Sequence, residues 1–193
     1  MPRILAFAGS ARRDSLNKKL ARAAAAEARA AGGEVTFLDL DDYPIALYHG
    51  DLEDAEGMPA NALKLRDMFI AHDGFLIASP ENNQSLSALL KNTIDWLSRD
   101  IGDGKGANSG FAPYRGKVAG LMGASPGAFG TVRAMPHLRQ VLSGLGVTVL
   151  PMQVPVPRAD KVFDAAGAIT DERVARAVKG LASALVEAVR KLA

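Results

Sequence analysis

Ser10, Arg12, Ser15 and Asn17 lie close together in the stretch Ile4–Leu20, ILAFAGSARRDSLNKKL. Two hydroxyls, a guanidinium and an amide at this spacing are hydrogen-bond donors suited to an anion. They follow a short apolar run that ends at Gly9 and precede a helix-like pattern that begins at Leu16. A loop between a strand and a helix sits at a helix N-terminus, where backbone N–H groups point outward and the helix dipole favours negative charge. The chemistry expected here is phosphate binding at a first βα turn. Ser15 and Asn17 also suit helix capping, which uses the same helix end and is compatible with it.

Two further loops have similar character. Pro80–Ser85 (PENNQS) follows the apolar run Gly74–Ser79, and Gly123–Gly130 (GASPGAFG) follows Lys117–Met122. Three polar or glycine-rich loops at strand ends point to one ligand site beyond the carboxyl edge of a sheet. A dinucleotide fingerprint would need Gly-x-Gly-x-x-Gly after the first strand, and only Gly9 is there; a P-loop would need Gly-Lys-Ser/Thr. Hydroxyls and an amide suit a terminal phosphate. Glycines near 123–130 let backbone approach a flat ring, and amides there could donate to a ring atom that becomes negative on reduction. The combination suits flavin mononucleotide better than a sugar phosphate, although these residues alone do not name the flavin.

The elements that must position these loops alternate along the chain. Arg3–Ala8 reads as a buried strand, Leu16–Ala31 as an amphipathic helix stopped by Gly32–Gly33, and Glu34–Leu40 as a second strand. Asp41–Pro59 reads as a long loop. Ala60–Ala71 reads as a helix with Leu63, Met68 and Phe69 as core candidates, Gly74–Ser79 as the third strand and Leu86–Leu97 as a helix. Ile101–Tyr114 is expected to be a mobile loop. Lys117–Met122 is the fourth strand, a helix runs from about Thr131 to Leu142, and Val147–Leu150 is the fifth strand. Pro151–Pro157 holds three prolines and is excluded from regular helix and central strand. Thr170 is expected to cap a last helix with its apolar seam on Val174, Val178, Leu181, Leu185, Val189 and Leu192. The expected architecture is a single α/β domain over 1–193, a three-layer α/β/α sandwich around a five-stranded parallel sheet of order 2-1-3-4-5.

Composition narrows the class further. Of 193 residues, 48% are hydrophobic and 23% charged, as in a globular protein, so disorder is not expected. Twenty-three basic against 21 acidic residues give +2, with no dense basic block for nucleic acid. With no cysteine, disulfides and thiol catalysis are excluded. His49, His72 and His137 have no metal-ligand spacing, and no metal site is expected. Ile4–Ala8 is too short for a signal-peptide core, and no apolar run is long enough to span a membrane. A soluble cytoplasmic protein is the default expectation.

At the level of motifs, the chain resembles the NAD(P)H-dependent FMN reductases of flavodoxin-like fold, which include chromate and quinone reductases. The resemblance runs over roughly residues 3–150. The motif GSxRxxSxNxxL is met at Gly9, Ser10, Arg12, Ser15, Asn17 and Leu20. The motif PEYNxSxxxxLKNxIDWxSR is met from Pro80 to Arg99 except at Asn82, where the family usually has tyrosine. SPGxxGGxR is met from Ser125 to Arg133 except at Thr131, which stands for a glycine. The segment YPIALYHGDLE, residues 43–53, is similar to the family's loop after its second strand.

The resemblance implies a division of labour. Ser10, Arg12, Ser15 and Asn17 would hold the FMN phosphate. Pro80, Glu81, Asn82 and Asn83 would line the isoalloxazine and ribityl chain, and Ser125, Gly127 and Gly130 would face the pyrimidine side. NADPH or NADH would donate hydride, and quinones, chromate, azo compounds or free flavin would accept electrons. No side chain is assigned as catalytic, because the flavin carries the chemistry. Trp96 is expected at a helix edge or a subunit interface of a homodimer or homotetramer. Arg99, Lys105 and Arg115 are read as solvated charges rather than ligands of a 2′-phosphate. The alternative function is a flavodoxin-like electron carrier, or a redox-responsive FMN-binding protein, without its own NAD(P)H turnover.

Overall fold

The computed structural model describes residues 1–102 and 107–192. Five parallel strands form the main sheet: β1 (Arg3–Ala8), β2 (Glu34–Leu38), β3 (Gly74–Ala78), β6 (Val118–Ala124) and β7 (Thr148–Val156). Their order is β2-β1-β3-β6-β7, which is 2-1-3-4-5 when only main-sheet strands are counted. β1, β3 and β6 are continuous apolar runs because they lie inside the sheet with both faces covered. Helices α1 (Leu16–Ala30) and α7 (Glu172–Leu192) cover one face, packing on Ile4, Ala6, Leu76 and Met122. Helices α3 (Ala60–Ala71), α4 (Ala88–Leu97) and α6 (Ala134–Gly144) cover the other, over Leu5, Phe7, Phe75 and Leu121. Alternate residues of one strand thus feed two cores, the period-2 rule of a pleated strand. The architecture is the expected flavodoxin-like sandwich.

Several elements differ from expectation, each for a local reason. β7 runs on through Pro151 and Pro155 as far as Val156. It is an edge strand, so its prolines remove no ladder bond on the open side, and its pairing with β6 slips between Ala119 and Leu121. The long loop after β2 contains a 3-10 turn (Leu40–Asp42) and helix α2 (Gly50–Glu56). Of the core candidates in α3, Phe69 is buried but Leu63 is 38% exposed; Ala62, Leu65 and Arg66 face inward instead. Within the span read as a mobile loop, Ala107–Phe111 forms the short helix α5, while residues 103–106 lie outside those described. The last helix is capped by Asp171, whose Oδ1 accepts the N–H groups of Arg173 (2.9 Å) and Val174 (3.0 Å). Thr170 instead donates its hydroxyl to Val162 O at 3.0 Å.

Trp96, in the last turn of α4, is not on a surface. It is fully buried, its indole N–H donates to Ala46 O at 2.8 Å, and Tyr48 meets it edge-on with ring centroids 5.1 Å apart. Asn92 Nδ2 also donates to Ala46 O, and Tyr48 N–H donates to Asn92 Oδ1. Arg99 Nε then reaches Glu53 at 2.8 Å. The second motif therefore uses Asn92, Trp96 and Arg99 to strap the segment after β2 onto α4.

Candidate active site

All three loops singled out in the sequence emerge from adjacent strands at the carboxyl edge of the sheet, after β1, β3 and β6. The first holds its shape through long-range bonds. Gly9 N–H donates to Ala78 O, and Ser87 Oγ donates to Gly9 O at 2.6 Å while capping α4 through Leu90 N–H. A Cβ at Gly9 would stand 2.8 Å from Leu90 Cβ, so only glycine lets α4 approach this closely. Lys18, buried in the first turn of α1, bonds Asp39 Oδ1 at 2.8 Å and reaches Ala11 O at 3.4 Å. Ser87, Lys18 and Asp39 support the turn, yet neither motif nor periodicity marked them; their partners lie across the fold.

Inside this frame the turn is rich in uncommitted donors. Among the described residues, the backbone N–H groups of Arg13 through Asn17 find no protein acceptor. Ser10 Oγ accepts Arg12 N–H at 3.3 Å and Ser15 Oγ accepts Lys18 N–H at 3.3 Å, which leaves each hydroxyl proton free to donate outward. The exposed Arg12 guanidinium makes no hydrogen bond or ion pair among the described residues. Asp14, the one acid here, is bonded to Lys19 Nζ at 2.6 Å; that bond and the ammonium charge, with a smaller push from Arg12, hold its carboxyl below the usual range. The arrangement is a cationic helix-terminal nest.

Asn17 shares the spacing of these donors, but its side chain points elsewhere. Its amide Nδ2 donates to Ala124 O at 2.9 Å and its Oδ1 accepts Ala124 N–H at 2.9 Å. What Asn17 offers an anion is its backbone N–H. Its amide instead ties the first loop to the end of β6.

The second loop is a two-stranded hairpin, β4 (Glu81–Asn82) with β5 (Ser85–Leu86). Its turn residues Asn83 (φ 50°) and Gln84 (φ 68°) both take the left-handed conformation, as a type I′ turn requires. Asn82 and Asn83 are exposed and Pro80 is half-buried beside them. The Glu81 carboxylate, expected to line a ring, is spent internally. It accepts the N–H groups of Arg133 (3.0 Å) and Ala134 (3.2 Å) at the start of α6 and pairs with the Arg133 guanidinium at 2.6 Å.

In the third loop Gly127 is exposed, Ser125 is half-buried, and the N–H groups of Gly127 and Ala128 have no acceptor among the described residues. Gly130 does not face the pocket. It is buried at φ 55°, and a Cβ there would stand 2.5 Å from Pro157 N. Its role is to let the loop cross the end of β7. Thr131 follows at φ 69°, buried, with no partner for its hydroxyl among the described residues. The described residues hold no cluster of three or more His, Cys, Asp or Glu fit for a metal ion.

These features fit a phosphorylated flat ring: a donor nest at one end, and a hairpin and a glycine-bearing loop with free N–H groups at the other. The sequence profile of the NADPH-dependent FMN reductases matches residues 2–161. The chain belongs to this family, and it is an oxidoreductase. It is 35% identical over 191 residues to an NAD(P)H-dependent FMN reductase of Pseudomonas aeruginosa, covering 98% of this chain and 96% of that one. It is 33% identical over 171 residues to a 2-hydroxy-1,4-benzoquinone reductase of Burkholderia, covering 88% and 86%. Among solved structures, the flavoenzyme NAD(P)H:(acceptor) oxidoreductase of Paracoccus denitrificans superposes with a TM-score of 0.79 at 29% identity, over 99% of this chain and 98% of that one. No helix among the described residues is long and apolar enough to cross a membrane.

Proposed function

We propose that the protein passes electrons from NADPH or NADH through bound FMN to a small quinone. The observation that carries this is the run of unpartnered N–H groups from Arg13 to Asn17 beside Ser10, Arg12 and Ser15, set across the sheet edge from the free N–H groups of Gly127 and Ala128. FMN, when bound, supplies a two-electron acceptor for hydride and a donor for the next substrate.

The chain's own residues bind and orient. Arg12, the Ser10 and Ser15 hydroxyls and the α1 N-terminus hold the phosphate dianion. Pro80, Asn82 and Asn83 offer a wall for the ring, on which Asn82 gives an amide where relatives place a phenol. Glu81 shapes that wall from behind by fixing the hairpin to α6. Gly127 and Ala128 can donate N–H groups toward the side of a ring that gains negative charge, which stabilises the reduced form. Ser125 anchors that loop through its N–H bond to Val156 O. No side chain at the site is placed as an acid or base.

Quinones are favoured among acceptors by the benzoquinone reductase relative; chromate, azo compounds and free flavin are further candidates. A homodimer or homotetramer goes with this reading. Leu47, 78% exposed, and Phe129, 61% exposed, are apolar side chains that an assembly would cover, and light scattering measures it. The function is tested with purified protein: it should be yellow, and NADPH should bleach the flavin spectrum until 1,4-benzoquinone restores it. Failure to hold FMN after reconstitution overturns the proposal, and bleaching by a partner reductase but not by NADPH or NADH marks an electron carrier instead. Steady-state rates with 1,4-benzoquinone, free FMN, an azo dye and chromate rank the acceptors.

A further inference from the structure

The cations around the site are mostly committed. Arg99 is tied to Glu53, Arg133 to Glu81 and Lys18 to Asp39. On the β7 side of the third loop this changes. An open cavity of about 400 Å³ lies between that loop and the N-terminus of α7, lined by Ala128 and Pro157 and by Arg158, Lys161, Arg173 and Asp171. Arg158, Lys161 and Arg173 are exposed, and none of their charged heads makes a hydrogen bond or ion pair among the described residues. The one acid of the lining, Asp171, is spent as the cap of α7 on the N–H groups of Arg173 and Val174. Three cations with no hydrogen-bonded or ion-paired head among the described residues therefore share the cavity with one carboxylate, which is engaged by the α7 N–H groups and held low in part by the Arg173 charge.

The cavity is physically joined to the ring-binding side of the site. Arg158 N–H donates to Gly127 O and Ala159 N–H donates to Ser125 O, both at 3.0 Å. Arg158 is held at φ 48°, a left-handed conformation that a side chain rarely adopts. The two backbone bonds fix this arm to the same loop that offers Gly127 and Ala128 to the flavin. Ala128 itself belongs to both, since it lines the cavity and carries one of the free N–H groups.

We propose that this cavity binds the 2′-phosphate of NADPH and gives the protein its preference for the phosphorylated dinucleotide. This rests on the function proposed above, in which a reduced nicotinamide reaches the flavin. A phosphomonoester is a dianion with three acceptor oxygens, and two guanidinium forks and an ammonium are suited to it by charge and by the number of donors they offer. The phosphate of FMN has its own nest on α1, beyond the end of β6. A nicotinamide lying by the 125–130 loop would carry its adenosine half outward over Ala128, toward these three cations.

The test is calorimetric titration of FMN-loaded protein, in which the α1 nest is already filled, with adenosine 2′,5′-bisphosphate and with adenosine 5′-monophosphate. The expected result is binding of the bisphosphate at least tenfold tighter than the monophosphate and falling steeply with salt. Arg158→Ala and Arg173→Ala should each weaken it about tenfold, with FMN content and melting temperature unchanged. In turnover the same variants should raise KM for NADPH while kcat holds. Equal affinity for the two nucleotides, or wild-type affinity in both variants, overturns the proposal. Should the protein hold no FMN, the function proposed above fails; titration of the FMN-free chain still decides the cavity, because only an occupied cavity makes the bisphosphate affinity respond to Arg158→Ala.

Discussion

Glu81 and Arg133 lie 52 residues apart in the chain and are joined twice, by a backbone N–H donated to the carboxylate at 3.0 Å and by a guanidinium at 2.6 Å. The Arg133 guanidinium also stands 4.9 Å from the Phe129 ring centroid. One carboxylate thus ties the hairpin after β3 to the helix after β6 and to the loop between them. Glu81→Ala removes a cap and an ion pair whose acidic partner is 9% exposed, with an expected cost of about 1–2 kcal/mol in urea unfolding. FMN affinity should fall several-fold, and riboflavin affinity by the same factor, because the ring wall and not the phosphate nest is loosened. Loss of FMN affinity alone would contradict this placement.

The proposed phosphate nest at the α1 turn predicts the opposite pattern. The Arg12 guanidinium makes no hydrogen bond or ion pair among the described residues, so Arg12→Ala should leave the melting temperature unchanged and weaken FMN about tenfold or more, the loss of a charge-assisted bond of about 1.5–3 kcal/mol. Riboflavin, without a phosphate, should bind as before. Ser15→Ala should do both kinds of damage, since its hydroxyl oxygen also caps α1, at a cost of about 1 kcal/mol. Fluorescence quenching on flavin binding separates the two. If FMN is held equally well by both variants, the nest is not where its phosphate sits.

Why the nest was legible and other parts were not follows from the range of the bonds. Ser10, Arg12 and Ser15 are brought to one place by local geometry, a helix end following a strand, and local geometry is written in spacing. The same is true of the buried strands and of the prolines that excluded Pro151–Pro157 from the sheet centre. Asn17 shows the limit: spacing put it at the helix end, but its amide turns inward to Ala124, a partner 107 residues away. Glu81, Trp96 and Arg99 were visible as motif members, while their partners Arg133, Ala46 and Glu53 lie 52, 50 and 46 residues off. Residue type alone could not say whether such a carboxylate or indole faces a ligand, a neighbour subunit or its own fold.

Asn17→Ala tests that inward role directly. It strips the partner from both the N–H and the C=O of Ala124, two buried groups, with an expected loss of about 2–5 kcal/mol in thermal or urea unfolding. Asn17→Asp keeps the acceptor for Ala124 N–H but loses the donor to Ala124 O, so it should fall between wild type and alanine. Were Asn17→Ala to weaken FMN while leaving stability intact, its amide would be a ligand after all.

Thr131 stands at the second glycine of the paired glycines in the pattern SPGxxGGxR, and the structure shows two local costs. Its backbone sits at φ 69°, and its buried hydroxyl has no partner among the described residues. Left-handed geometry costs a side-chain-bearing residue about 1–2 kcal/mol, and an unsatisfied buried hydroxyl about 1–3 kcal/mol. Thr131→Gly removes both, offset by about 0.5–1 kcal/mol of backbone entropy and by lost packing. A net gain of about 1 kcal/mol, or about 2–4 °C in melting temperature, is expected. The neighbouring Gly123 is the counterpart: a Cβ there would stand 1.9 Å from Thr131 Oγ1 and 2.5 Å from Ser79 O. Gly123→Ala should therefore remain destabilising even in the Thr131→Gly background, because the clash with the Ser79 carbonyl persists. Full rescue by Thr131→Gly would show that Thr131 alone sets the constraint.

The strap over α4 should be sensitive to acid through Glu53. Its carboxylate accepts from Arg99 Nε at 2.8 Å and from the Tyr48 hydroxyl at 2.9 Å. The Arg99 bond holds its carboxyl below the usual range; burial works against this, and the Tyr48 bond and the Arg99 charge add to the lowering. A carboxyl depressed in the fold lends stability above its unfolded value of about 4.3, and that contribution fades as pH falls through the lower folded value. Acidification through that lowered value should therefore release Glu53 from Arg99 and Tyr48 and loosen the segment from Ala46 to Glu56 before the sheet unfolds. Trp96 and Tyr48, in contact within the strap, report this by fluorescence, and amide exchange in α2 reports it independently. Glu53→Gln removes the titrating group, so its strap should be looser at neutral pH and show no separate acid step. An acid step of the same midpoint and amplitude in Glu53→Gln would assign the transition to another carboxylate.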